Sequence, residues 1–148
     1  MTAMREPIAT GLLALLAAAT GVVVASRRFV PWDEVATGDL PYLILMQERE
    51  EFDVELVKAG GTPIIKRLQF KAIIYTNGDG TENSLPATSL NAMVDAVELV
   101  LRPVGFATFQ RLGLSWVQWT VINGPIEFDG SAYGNLGMAI IPIEVAYI

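Results

Sequence analysis

The segment from Thr88 to Arg102 carries the clearest periodic pattern in the chain and restricts what can surround it. Its apolar residues recur at positions that share one face of an α-helix: Leu90, Met93, Val94, Val97 and Leu101. Polar residues occupy the opposite side of the same helix: Asn91, Asp95, Glu98 and Arg102. Pro103 cannot continue a helix, so the segment ends there. A helix with one apolar stripe must pack that stripe against other elements, and the sequence on both sides favours strands.

Residues 8–25 form an uncharged run, for which the sequence allows two interpretations. A run of this length is typical of a signal peptide or a membrane span. The second interpretation divides it at Gly21 into a helix over Met4–Ala19 and a strand from Val22 to Arg28. The helix then has one apolar face, formed by Ile8, Leu12, Leu15, Leu16 and Ala19. We expect the second interpretation, with the helix packed on a sheet and the N-terminal residues retained.

Five segments have the composition or the alternation of β-strands. They are Val22–Arg28, Tyr42–Met46, Arg67–Ile74, a bent segment from Trp116 to Phe128, and Met138–Ile148. Pro142 predicts that the last strand lies at an edge or contains a bulge. The segment Gln47–Pro63 is charged and then rich in glycine, which predicts a projecting arm loop. Residues 104–113 and 129–137 are predicted to be irregular.

Two helices and five strands predict a single α+β domain over residues 1–148. The expected architecture is a five-stranded, mainly antiparallel sheet with both helices packed on one face and the arm loop at about 47–63. The other face still carries Tyr75, either Trp116 or Trp119, and several valines and isoleucines. No third layer is left in the chain to cover this face, so we expect it to contact other molecules.

Composition excludes several kinds of catalytic site. The 148 residues include no cysteine and no histidine, which removes thiolate zinc sites, cysteine nucleophiles and the commonest general base. Four acids, Glu48, Glu50, Glu127 and Asp129, could be assembled into a glycosidase or metal site, but no motif spacing links them. The segment Thr76–Glu82 similarly lacks the ligand spacing of a calcium loop. We therefore expect no enzymatic activity, no cofactor and no metal.

The net charge of −6 is unevenly distributed along the chain. Residues 29–63 contain eight acids and two bases, whereas residues 64–75 contain three bases and no acid. An acidic chain without a larger basic cluster is a poor candidate for binding nucleic acid. The acids of the arm and the bases of the following strand could pair between neighbouring copies or within one chain, and the sequence leaves both arrangements open.

Charged and aromatic residues outside the expected core are candidates for an interface, because tryptophan and arginine are enriched at binding hot spots. The alternative is that the tryptophans fill the core and the charges are simply solvated. The candidate interface residues are Arg27, Arg28, Trp32, Glu48, Glu50, Glu51, Asp53, Lys66, Arg67, Lys71 and Trp119.

Four segments spread along the chain form a recognisable pattern of apolar strands and turns. They are SRRF followed by Trp32, the helix LNAMVDAVELVL after an Asn/Asp-Gly turn, QRLG at Gln110–Gly113, and INGPIEFDG leading to AIIPIEVAY. In these segments the chain resembles the tail terminator, or tail completion, proteins of tailed bacteriophages, and in particular the minor tail protein U group. The resemblance extends from Arg5 to the C-terminus and is weakest over Gln47–Pro63.

The resemblance implies a structural virion protein that forms a six-membered ring on the last ring of the tail tube. Such a ring stops tube growth and presents a surface to the head or neck, while DNA passes through its lumen without being gripped. The implied partners are further copies of the chain, the tail tube protein and a neck or head-completion protein, with no membrane. The implied location is the neck-proximal end of the virion tail, after assembly in the host cytoplasm. Arg27, Arg28, Trp32 and Gln110–Gly113 lie in the matched motifs.

Three other possibilities stay open, of which a carboxylate enzyme, with a pair of acids facing a closed pocket, is one, and two further classes remain. One is another neck component, such as a head-tail connector or stopper, and the other is a membrane-anchored or exported protein.

Overall fold

The computed structural model describes residues 3–53, 64–77, 86–105, 107–133 and 136–148. Within these ranges the elements are α1 (Arg5–Ala17), β1 (Val24–Ser26), β2 (Tyr42–Asp53), β3 (Ile65–Asn77), α2 (Pro86–Val100), β4 (Val117–Ile122), β5 (Glu127–Tyr133) and β6 (Leu136–Tyr147). Two single-turn 3₁₀ helices, Trp32–Glu34 and Thr37–Asp39, lie between β1 and β2. The prediction of an α+β fold is confirmed.

The described strands form one mixed sheet in the order β1-β2-β3-β6-β4, with β5 also paired to β6. β1 is parallel to β2, and the other described pairs are antiparallel. The long strands β2, β3 and β6 form the body of the sheet. β1 pairs only with residues 42–44 of β2. The remaining residues of β2 therefore form an open edge within the described part of the sheet.

The described sheet has six strands rather than the expected five, because the bent segment from Trp116 to Phe128 forms two of them. Gly124 lies between β4 and β5 with a φ of 123°, a backbone conformation that favours glycine. Both strands pair with β6, one on each side of Pro142. The Asn123 N–H donates to the Pro142 carbonyl at 3.0 Å, so the missing N–H of the proline faces the gap between β4 and β5. The prediction of an edge or a bulge at Pro142 is wrong, since this residue lies inside the sheet where two short partners meet.

The predicted arm loop is wrong over residues 47–53, which continue β2 and pair with β3 as far as Ile65. The rest of the arm, residues 54–63, lies outside the described residues. The predicted loop over residues 129–137 is wrong for the described residues, since 129–133 belong to β5 and 136–137 to β6, while residues 134 and 135 lie outside the described residues. Charged residues on the open edge of a sheet do not show the apolar–polar alternation of a half-buried strand. For this reason the sequence pattern did not predict that residues 47–53 belong to β2.

Both helices pack on one face of the sheet, as predicted. Every residue of the predicted α2 stripe is buried, and Leu15 is the single member of the predicted α1 face that is only partly buried. The helices meet large buried side chains of the central strands, among them Phe70, Ile141 and Tyr147. Burying a side chain of this size stabilises a fold by about 1.5–3 kcal/mol, so this layer holds the two helices on the sheet.

The face without helices is partly covered, which corrects the expectation that no layer was left for it. The segment from Val30 to Leu40 packs on a second apolar cluster, built on Tyr42, Ile44, Ile73 and Tyr75. This covering segment contains only the two 3₁₀ turns, so it has no periodicity from which a layer could be predicted. The rest of this face carries polar side chains such as Gln69, Lys71 and Glu144 together with the half-buried Trp119.

Candidate functional site

Glu144 lies at the centre of the polar half of the helix-free face and is 4% exposed. Its Oε1 accepts hydrogen bonds from Gln69 Nε2 at 3.0 Å and from Asn123 Nδ2 at 3.1 Å. Its Oε2 accepts one from the indole N–H of Trp119 at 2.9 Å. Trp119, a candidate interface residue, is therefore half-buried, and its ring centroid lies 6.2 Å from that of Phe109. Three neutral donors satisfy this buried carboxylate and fix β4 against β3 and β6.

Beside Glu144, the acidic and basic strands pair within one chain. Lys71 Nζ lies 2.9 Å from Glu48 Oε1, and Arg67 Nη2 lies 3.8 Å from Glu51 Oε2. Lys71 and Arg67 project from one strand face, as their alternation predicts. Of the two arrangements that the sequence left open, the structure contains the pairing within one chain. A contact of these residues with a neighbouring copy stays a prediction.

Glu50 belongs to a separate cluster on the helix-covered face. The β2 register shifts at Glu48, and the extra residue of this bulge reverses which face the following side chains occupy. Glu50 therefore faces α1, where Arg5 Nη2 donates to its Oε1 at 2.7 Å and Arg5 Nε donates to its Oε2 at 2.9 Å. The Tyr147 hydroxyl also donates to Glu50 Oε2, at 2.7 Å. We refer to Arg5, Glu50 and Tyr147 as the Arg5 cluster.

The Arg5 cluster holds two groups in defined protonation states. The hydrogen bond from the Arg5 guanidinium lowers the pKa of the Glu50 carboxyl, and the Tyr147 hydrogen bond acts in the same direction. Burial raises the pKa of Tyr147 to about 12, and the bond to the Glu50 carboxylate adds to this rise. At neutral pH Glu50 is thus ionised and Tyr147 is a donor. The cluster ties the beginning of α1 to β2 and to the end of β6.

Lys66 and Asp53 lie at the same end of the sheet as the Arg5 cluster. Lys66 Nζ is 5.5 Å from the ring centroid of Tyr147 and 6.0 Å from that of Phe52, which is cation–π distance. Asp53 is the last residue of β2 and lies opposite Ile65. The acids and bases of β2 and β3 are thus divided between the two faces of the sheet and do not form one charged surface.

Arg27, Arg28 and Trp32 follow the end of β1, which stops at Ser26 rather than continuing to Arg28 as predicted. The Arg27 guanidinium forms an ion pair with Glu6 of α1. Arg28 is exposed, and its backbone N–H donates to Ser26 Oγ at 3.0 Å. Trp32 is 41% exposed and lies beside an open cleft of about 330 Å³. This cleft, here called the Trp32 cleft, is lined by Trp32, Asp33, Val35, Thr37, Leu40, Asn77 and Leu136.

The QRLG segment anchors the end of α2. Gln110 is 7% exposed, its Nε2 donates to the carbonyl of Arg102 at 3.3 Å, and its Oε1 accepts from the Leu112 N–H at 3.0 Å. Leu112 has a φ of 57°, and its side chain lies against Gly11 of α1. Gln110 thus closes the loop after α2, and the contacts of this segment are structural within the chain.

Sequence reasoning missed Glu144, Arg5 and Tyr147. The Arg5–Glu50 contact spans 45 positions and the Tyr147–Glu50 contact spans 97, so neither leaves a spacing signal. A signal did exist for Glu144, because an acid inside the apolar strand IPIEVAY must find donors if it is buried.

Two features are absent from the described ranges. No helix there is long and apolar enough to cross a membrane. No group of three or more acidic side chains in those ranges is placed to hold a metal ion.

Comparisons with known proteins give a likeness of fold. No protein-family model and no curated protein matches this sequence. Among solved structures, the chain is similar to a chain from the virion of a native gene transfer agent particle. The superposition has a TM-score of 0.53 at 14% sequence identity and covers 99% of this chain and 98% of that one. The two chains share a fold. The likeness extends from end to end, so it includes both helices and the whole described sheet.

Proposed function

We propose that this chain is a structural protein of a phage-like virion. In this proposal, copies of the chain form a closed ring, with six members expected, on the last ring of the tail tube. The ring ends tube growth and offers its other surface to a neck or head-completion protein. No catalytic step and no cofactor is part of this role.

The observation that carries the proposal is the end-to-end likeness to a chain of a gene transfer agent virion. The match covers 99% of this chain and 98% of the other, so the likeness is not confined to one part of either chain. The segments that resemble tail terminator proteins lie at and after the end of β1, in α2, in the loop that Gln110 anchors and in β4 to β6. Structural likeness and sequence resemblance therefore favour the same class of protein independently.

Two properties of the chain suit this role. Exposed large apolar side chains such as Val104, Phe29 and Phe52 are more than half accessible in the single copy, and contacts between copies would bury some of them. The net charge of −6 suits a lumen through which DNA passes, because acidic residues do not hold phosphates. Among the candidate interface residues, Arg27, Arg28, Trp32 and Glu48 are exposed, and Arg27 and Glu48 form ion pairs within the chain.

The test is assembly of the full chain, alone and with purified tail tubes of a phage-like particle. We expect native mass spectrometry to give a closed hexamer and electron microscopy to place one ring at one end of each tube. Tubes without the chain are the control, and their length distribution should be broader.

A folded chain that stays monomeric both alone and with tubes would overturn the proposal. A ring that binds a head connector and ignores tube ends would replace it with the head-tail connector or stopper function.

A further inference from the structure

The segment over residues 32–39 has an unbalanced acidic surface. Asp33, Glu34 and Asp39 are all exposed, and none forms an ion pair with a residue that the structure describes. Asp33 lines the Trp32 cleft, whose wall includes Val35, Leu40 and Leu136 in addition to the indole, and Glu34 and Asp39 belong to the same short segment. A partly apolar cleft with an acidic rim fits a partner surface that combines an apolar side chain with a cation.

A surface of that kind exists elsewhere on the same chain, in the loop after α2. Arg102 and Arg111 are exposed, and neither has an acidic partner in the described part of the chain. Between them lie Val104, which is 74% exposed, and Phe109, which is 41% exposed. We call these four residues the Arg111 surface. The buried Gln110 holds the loop in place, so the surface is formed before any partner binds.

The two surfaces lie at opposite ends of the molecule and cannot meet within one chain. The Trp32 cleft includes Asn77 at the end of β3, and α2 begins there, since Ser89 Oγ donates to the Asn77 carbonyl at 3.1 Å. α2 is 15 residues, about 22 Å, long. The loop after it leads into β4, whose first residue, Val117, pairs with Tyr147 at the far end of the sheet. Lys66 also lies there, roughly 36 Å along β3 from Asn77.

We propose that the Arg111 surface of one copy docks on the Trp32 cleft of the next copy. Because the two surfaces differ and lie at opposite ends, the contact is head-to-tail, and repeated contacts of this type close into a ring when the rotation allows it. Opposite charges select this pairing, while the apolar residues supply the buried centre. The inference rests on the proposed ring function and specifies which surfaces form the ring.

Cross-linking tests the contact directly, since the chain has no cysteine of its own. We expect Asp33→Cys/Arg111→Cys subunits, treated with a short bifunctional maleimide, to give a ladder of covalent oligomers that ends at the ring size. The distance between the two ends of the sheet prevents bridging within a copy. The matched control, Asp33→Cys/Asp95→Cys, moves one cysteine to the exposed side of α2 and should give no ladder.

Charge reversal gives a second readout that does not depend on cross-linking geometry. Asp33→Lys/Glu34→Lys and Arg102→Glu/Arg111→Glu should each weaken ring formation by about tenfold or more, and their combination should restore much of the loss. Asp95→Lys/Glu127→Lys has the same charge change as the first variant at two exposed acids that belong to neither surface, and it should leave the rings unchanged. Sedimentation velocity measures the ring fraction, and circular dichroism verifies that each variant is folded.

The outcomes separate the two proposals. Wild-type rings that give no ladder above the control, and that ignore both reversals, would overturn the docking inference and leave the ring function standing. A wild-type chain that forms no ring alone or on tail tubes would overturn both.

Discussion

A buried carboxylate is costly unless donors surround it, and Glu144 meets this condition without a cation. Its partners come from β3, from β4 and from the turn after β4, so a single side chain fixes three parts of the sheet. Trp119 thereby has a role that its type alone does not indicate. Its indole satisfies a buried acid, which is a structural reason for a tryptophan on this face in addition to any contact with a partner.

Glu50 provides a prediction about acid stability. Its pKa is lower in the folded chain than its usual value of 4.5, so the unfolded chain binds more protons between these two values. The Arg5 cluster therefore stabilises the fold above about pH 4.5, and this contribution is lost as the pH falls through the lowered pKa. We expect Glu50→Gln to reduce the free energy of unfolding at pH 7 and to have a smaller effect at pH 3.

Urea unfolding of the wild type and the variant at both pH values measures this difference. Glu51→Gln is the matched control, because Glu51 is a half-buried acid with an arginine partner, one position further along β2 on the opposite face. Equal losses at both pH values for Glu50→Gln would show that the Arg5 contact does not depend on the Glu50 charge.

Gly124 provides a prediction about the backbone. Its φ of 123° is a conformation that residues with a side chain rarely adopt, and a Cβ added there would lie 3.2 Å from Pro142 Cγ. We expect Gly124→Ala to destabilise the fold by about 1–3 kcal/mol through strain. Gly38→Ala is the control, because a Cβ there would meet nothing within 4 Å, and it should change stability by less than about 0.5 kcal/mol. Thermal unfolding that ranks the two variants equally would contradict this account.

At the scale of elements, the buried stripe of α2 predicts opposite results for two neighbouring substitutions. Val97 is fully buried between the helices and the sheet, whereas Asp95 is exposed. Val97→Asp buries a charge without a partner, at a cost of several kcal/mol against a typical total stability of about 5–15 kcal/mol, so the chain should not fold. Asp95→Ala should be nearly silent. Circular dichroism and size-exclusion chromatography determine whether each variant is folded. If both variants fold, or if neither does, the buried stripe of α2 is assigned wrongly.

The two helices could be predicted because their signal is local. All five residues of the α2 stripe are buried, since helical spacing alone determines which residues share a face. β2 could not be predicted to its end, because residues 47–53 are charged and its bulge at Glu48 breaks any alternation. The cover over Tyr42 and Tyr75 could not be predicted either, since the packing of residues 30–40 follows from tertiary contacts and not from a repeat.

At the scale of the whole molecule, the sequence identified the candidate charged residues by their type, but it did not predict on which face of the sheet each of them lies. The sequence placed Glu48, Glu50 and Glu51 in one acidic arm, yet the fold sends Glu50 to the helix-covered face and the other two to the helix-free face. Composition determines which charges exist, but strand register determines which of them meet. The Arg111 surface was missed for the same reason, because the hydrogen bonds of Gln110 to the Arg102 carbonyl and from the Leu112 N–H leave no spacing signal in the sequence.

The open edge of β2 has a consequence for the behaviour of this chain at high concentration. A long, flat and apolar edge would let further copies add strand to strand and grow into fibrils. Here the open edge of β2, past the residues that pair with β1, carries a bulge and a row of charged residues. The opposite edge of the described sheet consists of two short strands, β4 and β5, which meet beside Pro142. Both features discourage edge-to-edge pairing. In the described part of the sheet, edge-to-edge pairing of copies is therefore disfavoured, although 52% of the residues of this chain are apolar.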